Sequence, residues 1–112
     1  MVFYELPIFS SVREDYLDDD AFKELQNVLI ANPEAGDVIK GTGGLRKMRF
    51  ADAKRSKGTR GGLRVIYYYK KADEQIWLFT VYDKDEADDL TPAQAKTLKA
   101  RLEQQIKARS LK

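Results

Sequence analysis

The chain has 112 residues, 43% hydrophobic and 11% aromatic, with a formal net charge of +2. That composition suits a single globular domain over residues 1–112 and excludes a disordered chain. It contains neither cysteine nor histidine, which excludes disulfides, thiolate zinc sites, a thiol nucleophile and the usual proton carrier at neutral pH.

These absences suit a reducing, cytoplasmic setting and a protein with no metal and no cofactor. No stretch approaches the roughly 20 apolar residues of a membrane span, and the start, MVFYELPIF, lacks the charged and long apolar regions of a secretion signal. The modest net charge hides a strong polarisation. Gly41–Lys71 carries ten of the twenty Lys and Arg residues against one acid, a net +9, while residues 1–40 sum to −6 and 72–112 to −1. Such a basic segment, set beside β-rich apolar runs, is the footprint of a phosphate-binding face.

In chain order, Val2–Leu6 predicts a short strand stopped by Pro7. Ile8–Leu17 predicts a short helix. Asp18, Asp19 and Asp20 then read as a helix cap with negative charge at the positive end of the dipole, rather than as metal ligands. The following helix, Ala21 to about Ala31, buries Phe22, Leu25, Val28 and Leu29, and Asn32-Pro33 ends it because the residue before proline avoids the α region. Gly41-Thr42-Gly43-Gly44 is either a reversal between strands or a backbone cradle for phosphate; it matches no standard phosphate-loop fingerprint.

Leu45–Ala51 predicts a strand with Met48 and Phe50 on one face and Lys47 and Arg49 on the other. Those cations form either a solvated outer face or a face that holds an anion. The loop from Asp52 to Gly62 offers Lys54, Arg55, Lys57 and Arg60 to water or a polyanion. Leu63–Lys70 is the strongest strand signal. Arg64, Ile66 and Tyr68 share one face; Leu63, Val65, Tyr67 and Tyr69 line the other. An arginine among such neighbours is partly buried or pinned, so it needs an anionic or carbonyl partner. Ala72-Asp73-Glu74 turns the chain into Gln75–Tyr82, whose nearly continuous apolar run predicts a central strand. The last helix opens with Thr91 as N-cap, Pro92 at its first position and Gln94 closing a capping box, and it buries Ala95, Leu98, Leu102 and Ile106. The order β-α-α-β-β-β-α predicts an α+β fold, with an antiparallel meander sheet, an N-terminal helical pair and a C-terminal helix.

The runs GDVIKGTGGLRKMRF, GGLRVIYYY and TVYDKDEADDLTPAQ, with the basic loop between the first two, resemble the RelE superfamily of toxin–antitoxin toxins, and most of all its HigB-type branch. The likeness is clearest from Gly36 to Leu102. It implies a RelE-like fold and a small, metal-independent endoribonuclease that enters the ribosome and cuts mRNA there. It also implies a cognate antitoxin, a helix-turn-helix DNA-binding protein through which operator DNA is engaged, and no membrane partner. Carried over residue by residue, Lys47 and Arg49 match the family's two cationic positions on the second long strand, Arg64 matches the arginine of the following strand, and Lys84 matches the cation just past the last strand. Where some members carry a functional tyrosine, this chain has Leu90; Tyr82 is the nearest phenol.

Cleavage without a metal needs a base for the ribose 2′-hydroxyl, cations for the charge developing on phosphorus, and an acid for the departing oxygen. Arg64 and Arg49 suit the second task, being always charged and bidentate toward phosphate. Lys47 and Lys84 are the candidate proton carriers, with Tyr82 after them. Lys54, Arg55, Lys57 and Arg60 are candidates for holding the RNA backbone. Tyr68 is either a base-stacking platform or a core tyrosine. Two rivals to the nuclease are a non-catalytic RNA- or DNA-binding module and a domain whose basic face only receives an acidic partner such as the antitoxin.

Overall fold

The structure is a computed structural model that describes residues 1–51, 62–84 and 90–110. It is an α+β arrangement of a five-stranded mixed sheet and three helices. In chain order these are β1 (Val2–Glu5), α1 (Pro7–Tyr16), α2 (Asp19–Ala31), β2 (Asp37–Val38), β3 (Leu45–Phe50), β4 (Leu63–Lys70), β5 (Gln75–Asp83) and α3 (Pro92–Ser110). The strand order is β1-β5-β4-β3-β2.

β2 to β5 pair antiparallel, as the meander requires. The expectation of a wholly antiparallel sheet fails at β1, which lies parallel to β5 with Phe3 opposite Ile76 and Glu5 opposite Leu78. The free outer edge of β5 accepts β1, and bonds from Val2 N–H to the Glu74 carbonyl and from Leu6 N–H to the Leu78 carbonyl extend the pairing at both ends. The run Val2–Leu6 specifies a strand, but five residues carry no information about neighbour or direction. Sequence reading also missed β2, which is only two residues long.

Each face of the sheet has its own core. On one side α1 and α2 bury Phe9, Leu17, Leu25 and Leu29 against Met48, Val65, Tyr67, Ile76 and Leu78. On the other, α3 sets Leu102, flanked by Leu98 and Ile106, against Leu45, Ile66, Trp77 and Phe79. The helix ends follow their caps. The Asp18 carboxylate accepts the Ala21 N–H at 2.8 Å. At the start of α3, the Thr91 hydroxyl accepts the Gln94 N–H at 3.1 Å while the Gln94 side chain accepts the Thr91 N–H at 2.9 Å, a reciprocal box.

Two features fix where the α3 face of the sheet presents its side chains. The first is a bulge. Ile66 stands opposite Thr80, but Tyr67 stands opposite Leu78, so Phe79 is the extra residue on β5. Leu78 and Val81 therefore both reach the α1–α2 core, while Phe79 and Tyr82 both serve the α3 core. The second is the connection from α2 to β2. The buried Tyr67 hydroxyl donates to the Pro33 carbonyl at 2.8 Å and accepts the Gly36 N–H at 2.9 Å. A Cβ at Gly36 would lie 3.0 Å from both the Lys47 backbone and the Tyr67 ring, so any larger residue there obliges these neighbours to give by a few tenths of an ångström. Arg46 closes the same connection by donating to the Gly36 carbonyl at 2.8 Å and pairing with Glu34 at 3.2 Å.

Candidate nucleic-acid interface

The meander brings four of the proposed catalytic residues, Lys47, Arg49, Arg64 and Tyr82, onto the α3 face. Arg49 stands opposite Arg64, and Arg64 stands opposite Tyr82, so the three form a row across β3, β4 and β5. Directly opposed residues have their Cα atoms about 4.5–5.5 Å apart. Lys47, two residues along β3 from Arg49, occupies the next row opposite Ile66. Lys84 follows β5 immediately; it is half-buried, and its N–H bonds the Gly62 carbonyl at 3.1 Å, tying the chain after Tyr82 to the start of β4. The sheet thus gathers Lys47, Arg49, Arg64 and Tyr82 on one face, with Lys84 at its end.

Their exposure differs. Arg49 is exposed, and Lys47 and Tyr82 are half-buried. Arg64 keeps only 4% of its accessible surface. Its guanidinium donates to the Leu63 carbonyl at 3.1 Å, which is the carbonyl partner that burial of a guanidinium demands. Beside this row the first half of α3 stands off the sheet over a hollow of about 470 Å³. Ile66, Thr80 and Tyr82 form its floor, and Leu90, Leu98 and Arg101 are among its walls.

No family model matches the chain. The likeness to RelE-type toxins therefore rests on the residues quoted above.

Tyr68 stands apart from the row, opposite Leu45 and Trp77 toward the other end of β4, with its ring centroid 5.1 Å from that of Trp77. Packed against Trp77 and half-buried, it is part of the α3 core's rim. Lys54, Arg55, Lys57 and Arg60 lie outside the described residues.

The Gly41–Gly44 stretch is built as a reversal between β2 and β3. Gly41, Gly43 and Gly44 all have positive φ, at 82°, 79° and 121°. The buried Thr42 hydroxyl donates to the Ile39 carbonyl at 2.7 Å and accepts the Leu45 N–H at 3.2 Å, so it satisfies the turn internally. Sequence reading passed over Lys40, which lies just before this turn and lines two hollows that also reach Lys47. Its only sequence signal is its place beside the glycines. Asp83, 1% exposed at the end of β5, was missed because it sits in an acidic run that reads as solvated surface.

Proposed function

We propose that this chain is a RelE-type toxin of the HigB-like kind, a metal-independent endoribonuclease that cuts mRNA on the ribosome in the cytoplasm and is held in check by a cognate antitoxin. The observation that carries the reading is the row Arg49–Arg64–Tyr82, with Lys47 beside it, on one face of the sheet. Cations fixed by β-strands are pre-positioned for the charge that develops on a phosphate under attack, and no reorganisation is needed at that moment. Arg49, being exposed, meets the phosphate first. Arg64, anchored through the Leu63 carbonyl, sits behind it in the same row. Lys47, Lys84 and Tyr82 border that position and carry the protons.

Expression in a bacterium without the antitoxin tests the reading. The parent chain arrests growth; Arg64→Ala relieves the arrest while the purified variant keeps its circular dichroism spectrum. Arrest that persists with Arg64, Arg49 and Lys47 all replaced refutes catalysis by this face.

The burial of Arg64 favours one rival, a non-catalytic module on the same scaffold that binds RNA, DNA or the antitoxin through its exposed cations. Under that reading RNA affinity falls steeply with salt and no cut product forms, with ribosomes or without.

A further inference from the structure

Two hollows lie on the β2 side of the sheet and run into one another. The larger, about 920 Å³, is bounded by Asp37, Ile39, Lys40, Lys47, Arg49 and Leu90, among others. The smaller, about 320 Å³, shares Ile39, Lys40, Lys47 and Leu90 and ends against Thr91 and Pro92 at the start of α3. Together they make a groove that leaves the Arg49–Arg64–Tyr82 row, follows β3 and reaches the turn after β2. Three cations line it against one carboxylate, Asp37, over apolar surface from Ile39, Met48 and Leu90.

The cations are spaced for a nucleic-acid strand. Lys47 and Arg49 are alternate residues of one strand, about 6.8 Å apart along it. That is of the order of the through-space separation of neighbouring phosphates along one nucleic-acid strand, paired or not, so the apolar floor rather than the cation spacing selects a single strand. Lys40 continues the line past Lys47, because Ile39 N–H bonds the Leu45 carbonyl and so sets Lys40 beside the far end of β3. The apolar floor gives unstacked bases a surface to cover, which a duplex does not offer.

We propose that this groove carries single-stranded RNA flanking the cleaved bond, and that Lys40 holds the phosphate beyond those at Lys47 and Arg49. The proposal deepens the nuclease reading and rests on it for the direction of the strand.

The test uses the full chain and a fluorescently labelled, uridine-rich oligoribonucleotide, followed by anisotropy over a salt series, with cleavage of ribosome-bound message measured alongside. Lys40→Ala weakens binding about fivefold and flattens the plot of log affinity against log salt by about 0.7. Lys23→Ala, an exposed lysine on α2, changes neither. An affinity and slope unchanged in Lys40→Ala, no binding by the parent, equal binding of a duplex of the same sequence, or tighter Lys40-dependent binding of polyglutamate each overturns the proposal. Lys40-dependent binding without any cut product leaves the groove standing and removes the nuclease. Cleavage indifferent to Lys40 does the reverse.

Discussion

Replacing Tyr67 by phenylalanine removes one oxygen and strands two backbone groups. The Gly36 N–H, on a buried residue, loses its acceptor, and the Pro33 carbonyl, on a half-buried one, loses its donor. A buried group left without a partner costs about 1–3 kcal/mol. Water can reach Pro33 more readily than Gly36, so the total is about 2 kcal/mol. At about 4 °C per kcal/mol for a domain of this size, the melting temperature falls by about 8 °C. Thermal and urea unfolding followed by circular dichroism measure it. A second arm reads pH. Burial pushes the Tyr67 hydroxyl above its ordinary value of 10.0, against smaller opposing effects of its Gly36 bond and the nearby Arg46. The folded chain therefore keeps a proton that the unfolded chain gives up. That contribution is complete below about pH 10 and is lost as the pH rises further. The gap between parent and variant thus narrows in alkali. A variant within about 0.5 kcal/mol of the parent, with parallel alkaline curves, refutes this account of the α2–β2 connection.

Thr91→Ala removes one half of the capping box and costs about 1 kcal/mol, read as a lower melting temperature, whereas Thr91→Ser costs much less. Arg109 lies between two rings, with its guanidinium carbon 4.5 Å from the Tyr4 centroid and 4.8 Å from that of Trp77. Arg109→Ala therefore costs about 1–2 kcal/mol and changes the emission of Trp77, the chain's single tryptophan; an unchanged spectrum refutes the stacking.

Much of the frame was legible because its signals are local. The caps at Asp18 and Thr91, the split of β4 into an Arg64–Ile66–Tyr68 face and a Leu63–Val65–Tyr67 face, and the placing of Lys47 and Arg49 opposite Met48 and Phe50 all follow from short-range chemistry and period two. What was not legible depends on distant partners. The parallel docking of β1 is decided by the free edge of β5. The bulge at Phe79 hides in an unbroken apolar run, yet it sets Phe79 and Tyr82, three residues apart, on one face. Arg64 reads from its neighbours as partly buried or pinned; that it keeps only 4% of its surface depends on what packs above the row. Lys40 was overlooked because an isolated lysine beside a turn reads as surface until the fold sets it in a groove with Lys47 and Arg49.

The central claim is that Arg64, in its row with Arg49 and Tyr82, stabilises a phosphate under attack. The direct measurement is single-turnover cleavage of ribosome-bound message by the purified chain and by Arg64→Ala, in the presence of a chelator, with the product ends mapped. The account predicts parent cleavage that leaves a 2′,3′-cyclic or 3′-phosphate end, and a variant slower by about 10²–10³ with ribosome binding retained. Equal rates in the two proteins, or no cleavage by a parent chain that still binds RNA, contradict it.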